Sequence, residues 1–255
     1  VDGQLLDYSE RNDAMSYGQT YANDLFAIDA AASERAAFLR RTYLHLFGAI
    51  LAFIGLEAVL FTLVPPVEIL RLVMGNGKVG MLVIFFGYMA ATWLAQSWAS
   101  RSVSQSTQYM GLALYTVAEV LFFAPILSLA TLMDQGGANI IPTAGIITLL
   151  MFGGLTTIVL VSGADFSFLR TVLMIAGWSA LVVIIASIFM GFSLGLFFCG
   201  AMVMLACGYI LYDTSNVLHH YRTDQHVGAA LQLFASVALL FYYVLRIVMS
   251  LQSRD

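Results

Sequence analysis

Asp213 is the residue in this chain that its surroundings tolerate least. It lies in Gly208–His220 (GYILYDTSNVLHH), at the end of a long apolar run, and an acid in such a place is either paired or used. Glu57, Glu119, Arg246 and His45 also fall within apolar runs. At the centre of a membrane helix each charge costs ~2.5–3.5 kcal/mol, so the chemistry open to these groups is ion pairing, ion binding or proton binding. Their positions along the runs sort them by depth. Arg246, with Glu57 or Glu119, forms an outer set. An ion pair there lowers the cost of burying each member, and it reads either as a fixed lock or as a gate whose pairing changes with state. Asp213 forms an inner set with Ser236 at similar depth and His45 near the same level. This set reads as an ion-binding or proton-sensing site. The alternative is a satisfied carboxylate at a helix end, although a helix C-terminus is an unfavourable place for negative charge. His219, His220 and His226 read as a solvated loop that titrates near neutral pH, with a metal site as the alternative.

The elements that hold these residues follow from composition. Of the 255 residues, 60% are hydrophobic and 10% charged, against roughly a quarter charged in a soluble domain. The chain is therefore expected to be an all-α integral membrane protein with the lipid bilayer as its solvent. No basic tract is long enough for a nucleic-acid arm. Seven segments reach the ~20 apolar residues that a bilayer core requires: Thr42–Val64, Gly80–Ala99, Gln108–Met133, Ile140–Ser162, Phe168–Met190, Leu194–Tyr212 and Gly228–Leu251. Pro65-Pro66 ends the first, and Gly191-Phe192-Ser193 is the tightest break, which makes the fifth and sixth helices antiparallel neighbours. Pro125 is expected to kink the third helix and free a carbonyl. Gly153-Gly154 and Gly200-Ala201 are expected to be sites of close helix packing. Residues 1–34 are a polar, acidic tail, and 35–255 form the seven-helix unit. The polar start is not the basic region and short apolar core of a cleavable signal peptide, so none is expected. Cys199 and Cys207, eight residues apart on one helix, are ~12 Å apart by helix rise, too far for a disulfide.

Basic residues give the orientation. With the N-terminus inside, Arg35, Arg40, Arg41, Arg101, Arg170 and Arg222 lie on the inner side, and Arg71, Lys78 and Arg254 on the outer. Known seven-helix and intramembrane chemistries fail on specific residues. A retinal Schiff base needs a lysine in the bundle, and Lys78 is in a loop. Tyr212-Asp213 has the form of one half of an intramembrane aspartyl protease, but the last helix carries no acid. Gly191-Phe192-Ser193 has the spacing of a serine nucleophile motif but falls in a turn far from His45. An enzyme is not expected, and neither is a bound cofactor, beyond transient Ca2+.

Tyr209-Ile210-Leu211-Tyr212-Asp213-Thr214, with Val217-Leu218-His219-His220 after it, resembles the signature of the Bax inhibitor-1 family. Asp165-Phe166-Ser167-Phe168-Leu169 resembles that family's turn before the fifth helix. Ala230-Leu231-Gln232-Leu233-Phe234, followed by Leu245-Arg246, resembles its last helix, and Pro125 fits its third. The resemblance covers about Arg35 to Leu251 and points to a bacterial-type member. It implies a seven-helix fold in which six helices surround a central last one. It implies a pH-modulated calcium leak, with suppression of cell death in eukaryotic members and restraint of the FtsH protease by some bacterial ones. By the same resemblance Asp213 matches the first aspartate of a pH-sensing pair, and Ser236 stands where the second is expected. Arg246 matches the family's arginine. Its usual acidic partner, in the second helix, has no counterpart here, which leaves Glu57 or Glu119 to substitute.

A shared proton between two carboxylates moves one of them toward neutral titration. One aspartate lacks that device, so the proton switch is expected to be weakened or retuned, with His45 or the His219–His220 loop as possible replacements. The functions to be weighed are a pH-modulated cation (calcium) leak, with Asp213 as a weak calcium ligand, and a non-catalytic regulator or accessory subunit that meets a membrane-protein partner through its tail. The expected location is the bacterial cytoplasmic membrane, N-terminus inside and C-terminus outside.

Overall fold

A computed structural model describes residues 26–99, 104–134, 137 and 139–253. The first 25 residues of the tail, and the orientation markers Arg101 and Arg254, lie outside the described residues. The elements are α1 (Ala32–Leu63), α2 (Pro66–Gly75), α3 (Gly77–Trp98), α4 (Gln105–Met133), α5 (Ile140–Ser162), α6 (Leu169–Met190), α7 (Leu196–His219) and α8 (His226–Gln252). All except α2 are long and apolar enough to cross a membrane, and the chain is a multi-pass membrane protein. The membrane face at which α1 begins is called the N face below, and the opposite one the far face.

The helix ends follow local chemistry. Val64 is extended and Pro65 caps α2, with Pro66 at its first position, where the missing N–H costs nothing. Gly163 and Gly191 close α5 and α6 with φ of 61° and 76°, the left-handed cap that favours glycine. α1 begins at Ala32, ahead of the apolar run that starts at Thr42, and Glu34 in its first turn complements the helix dipole. α3 begins at Gly77, which places Lys78 in the first turn of a helix and not in a loop. α7 continues past Tyr212 to His219, so His219 is helical and His226 opens α8 as a buried residue. The three histidines therefore do not share one solvated loop. Among the described residues no three His, Cys, Asp or Glu side chains converge to hold a metal ion.

Outward faces carry bulky apolar residues such as Phe197, Val161 and Trp93, as lipid contact requires. The inside-out logic reverses at α8, the most buried of the seven spans. It packs chiefly on α7, α1, α5 and α4, while α3 lies behind α4 and α6 behind α7. The last helix is central, as the resemblance implied, and the end of α3 reaches it at Ala99. Aromatic rings fix its register against α4. Tyr115 meets Phe234 at 5.6 Å, and Phe123 meets Phe241 at 5.6 Å and Tyr242 at 5.7 Å.

Close helix approach does not occur where the glycine clusters suggested. A side chain built on Gly153, Gly154 or Gly200 would meet open space. The tight crossings are at Gly111 and Gly228, where an added Cβ would lie 2.7 Å from the carbonyls of Ala95 and Ala99, and at Gly177, which sits under the Tyr209 hydroxyl. That hydroxyl donates to Leu173 O at 3.0 Å and ties α7 to α6. Interhelical hydrogen bonds in membranes are worth ~0.6 kcal/mol on average. Tyr209→Phe is thus expected to lower bundle stability by about that amount, read as a small fall in the unfolding midpoint in mild detergent.

Candidate functional site

Asp213 lies six residues before the end of α7 and is fully buried. Its carboxylate accepts from both polar residues of one α8 face. Gln232 Nε2 donates to Oδ1 at 3.2 Å, and Ser236 Oγ donates to Oδ2. Residues four apart on a helix share a face, which is why one carboxylate receives both. The Asp213–Ser236 pairing read from depth is present. His45 is elsewhere. Its ring bonds to Tyr109 OH at 2.9 Å and lies 4.9 Å from the His226 ring. His226 to Ser236 is ten residues of α8, ~15 Å of rise, so His45 belongs to a separate cluster at the N face.

Gln232 and Ser236 also line a central cavity of about 560 Å³, together with Tyr88, Glu119, Pro125, Tyr209 and Arg246. From Gln232 to Arg246 this cavity follows α8 for ~21 Å by rise, much of a ~30 Å bilayer core. Its two ends carry different chemistry. Toward the N face stand the donors that hold Asp213; toward the far face stands Arg246, whose Nη2 donates to Leu194 O at 3.5 Å. Pro125, placed in α4 by its sequence as a break, lines this space.

The expected ion pair of Arg246 with Glu57 or Glu119 is not formed: among the described residues no carboxylate lies within 4 Å of Arg246. The register explains this. With Tyr115 level with Phe234 and Phe123 with Tyr242, Glu119 is level with about Ala238. Arg246 is eight residues farther, ~12 Å by rise. Glu119 instead accepts from Tyr88 OH of α3 at 2.8 Å through Oε1. Glu57 lines a different cavity from the central one, and among the described residues neither of its oxygens has a hydrogen-bond partner. Tyr88 and Gln232 were not singled out from the sequence. The i, i+4 polar pair Gln232–Ser236 on an otherwise apolar helix was the available signal for Gln232. Nothing local marks Tyr88.

The Asp165–Leu169 turn has a structural explanation. Ser167 N donates to Asp165 Oδ1 at 2.9 Å, and Phe166 N donates to Ser215 Oγ at 2.8 Å, which seats the turn on α7 two residues past Asp213. The Ser167 amide, foremost, holds the Asp165 carboxyl below its ordinary range. A carboxyl depressed in the folded state stabilises it above the unfolded pKa, and that contribution is lost only as pH falls through the lower folded value. Acidification from neutral pH to about 5 is therefore expected to leave the turn intact. Hydrogen exchange at the Ser167 amide should stay protected over that range and loosen only below about pH 4. On the N face the segment before α1 docks on the α7–α8 loop, where Ala27 N donates to Tyr221 O at 2.9 Å.

The model of the family described as "Inhibitor of apoptosis-promoting Bax1" matches residues 35–254, nearly the whole bundle including the Asp213 and Arg246 helices. The chain belongs to the Bax inhibitor-1 family. It is 28% identical to "Bax inhibitor 1" of Schizosaccharomyces pombe over 97% of this chain and 90% of that protein. It is 27% identical to "Protein LIFEGUARD 1" of Arabidopsis thaliana over 89% and 94%. It is 28% identical to an uncharacterized protein of Pseudomonas aeruginosa over 87% and 94%. In this Bax inhibitor-1 family chain the central carboxylate is held by a glutamine and a serine.

Proposed function

We propose that this Bax inhibitor-1 family protein is a cation leak with calcium as a substrate, and that it is not an enzyme. One observation carries the reading. The central cavity runs from Arg246 past Glu119 to Gln232 and Ser236, the two residues that hold Asp213. Opening requires only that α8 let go of one carboxylate, because both donors lie on one helix face. Calcium prefers six to eight oxygens. One carboxylate, a serine hydroxyl and a glutamine carbonyl supply far fewer, which suits passage and not storage. Glu119, midway along the cavity, offers a second acidic stopping point.

Asp165, Ser215 and His219 lie close together, but this grouping does not have the layout of a nucleophilic triad. The serine sits between the other two, with Oγ at 3.3 Å from Asp165 Oδ1 and 3.5 Å from His219 Nδ1, whereas a triad needs the histidine in the middle. Arg35, Arg40, Arg41, Arg170 and Arg222 gather toward the N face, and Arg71 and Lys78 toward the far face. This asymmetry supports a cytoplasmic N face. The Pseudomonas relative is in keeping with a bacterial cytoplasmic membrane.

Calcium entry into proteoliposomes tests the reading. The wild-type chain is expected to exceed protein-free vesicles. Leu239→Trp, which puts a large ring into the cavity wall, is expected to reduce the flux. Flux no greater than that of empty vesicles would sink the leak. A second reading, a non-catalytic regulator of a membrane complex such as one built on FtsH, draws on the docking of Ala27 on Tyr221. This contact ties the chain ahead of α1 to the loop between the two helices that hold Asp213. A stoichiometric partner recovered with the intact chain from native membranes, and lost when the tail is deleted, would favour it.

A further inference from the structure

A second cavity, of about 390 Å³, lies on the other side of Glu119. Its walls are α1 (Phe53, Glu57, Phe61) and α5 (Gly145, Leu149), and its floor is α4 and α8. Ile54 and Leu149, at its rim, are 55% and 56% exposed, so its mouth opens sideways between α1 and α5 into the hydrocarbon of the bilayer. The volume is in the range of small-molecule pockets, roughly 300–1,000 Å³. Its lining is aliphatic and aromatic apart from Thr148, whose hydroxyl is satisfied by Ala144 O at 2.8 Å, and two acids. Glu57 is 5% exposed, and among the described residues neither of its oxygens has a hydrogen-bond partner and Glu119 contributes an Oε2 that is also unpartnered. Among the described residues no basic side chain lines the cleft, and Arg246 belongs to the other cavity.

An apolar pocket with buried acids and no cation of its own fits one kind of occupant. We propose that the α1–α5 cleft binds a lipophilic amine, an aliphatic or aromatic body carrying one ammonium group, which enters from the bilayer and pairs with Glu57. A bare metal ion would find two carboxylates and a wall of hydrocarbon in place of six or more oxygens. A neutral lipid chain would fill the space but leave Glu57 unpaired. Moving a hydrocarbon chain from lipid into the cleft gains little, because lipid tails are as apolar as the walls. Selectivity must therefore come from the head group, and an amine should bind more tightly than an alcohol of the same length.

The test uses the full chain in nanodiscs of zwitterionic lipid at neutral pH, with dodecylamine and dodecanol as probes. Binding is read as the concentration dependence of the thermal shift, corrected for partition into lipid. The wild type is expected to prefer dodecylamine by roughly tenfold or more, the scale of a charge-assisted hydrogen bond. Glu57→Gln is expected to abolish the preference and leave dodecanol unchanged. A Cβ on Gly145 would meet nothing within 4 Å. Gly145→Leu should therefore fill the cleft without disturbing the fold and weaken both probes. Equal binding of amine and alcohol by the wild type overturns the proposal. So does an amine preference that survives Glu57→Gln, or amine binding untouched by Gly145→Leu. None of these readouts depends on calcium flux.

Discussion

Gln232→Leu combined with Ser236→Ala is expected to destabilise the folded bundle by about 3 kcal/mol, measured by unfolding in mixed micelles. The two donors hold the carboxylate of a fully buried residue. Interhelical hydrogen bonds between neutral groups in membranes average only ~0.6 kcal/mol, but bonds to a charged group are worth ~1.5–3 kcal/mol each. The full burial of Asp213 decides which scale applies. The single variants should each cost roughly 1.5 kcal/mol. The informative comparison adds Asp213→Leu to the double variant. Removing one side of a buried polar pair leaves the other unsatisfied, while removing both sides restores an apolar interior. The triple variant is thus expected to regain most of the stability that the double variant loses, while its calcium flux falls. If the triple variant were no more stable than the double, the two α8 residues would not be acting through Asp213.

Much of this arrangement was legible in the chain, for reasons that differ by residue. Asp213 announced itself, because an acid in an apolar run is rare and costly, and its depth together with that of Ser236 was enough to bring them together. The seven spans followed from length and apolarity alone. What could not be read is what depends on register between helices. Arg246 and Glu119 are oppositely charged and both face the central cavity, but ~12 Å of rise separates them. The offset is set by which aromatic rings interlock along α4 and α8. The same holds for His45: its own helix gives its level from one end, whereas its partners Tyr109 and His226 are set by where α4 and α8 begin. Glycine misled in another way. Gly153-Gly154 stands out in the sequence but faces open space, while single glycines at 111 and 228 carry the close crossings. A glycine's use is decided by the carbonyl opposite it, and that carbonyl belongs to another helix.

The largest structural effect is expected at those two crossings. Gly111 of α4 meets α3 so closely that an added Cβ would be 2.7 Å from Ala95 O and 3.1 Å from Ala99 N. Gly228 of α8 would meet Ala99 O at 2.7 Å. Both obstacles are backbone, so no rotamer change relieves them and the helices themselves must separate. Overpacking that forces backbone shifts costs ~1–3 kcal/mol, occasionally more. Gly111→Val and Gly228→Leu should each lie at the upper end of that range, lowering the unfolding midpoint far more than Tyr209→Phe does. The consequences differ by place. Gly111 is two residues from Tyr109, and Gly228 two from His226, so the end of α3 is the wedge that holds the His45–Tyr109–His226 cluster together. Separation at Gly228 should also tilt the first turns of α8, which precede Gln232, and loosen its hold on Asp213. Gly228→Leu is therefore expected to raise calcium flux in vesicles where the chain remains folded. Gly153→Leu, which meets nothing, should change neither stability nor flux. A Gly228→Leu protein as stable as the wild type would show that α8 does not approach Ala99 as closely as the fold requires.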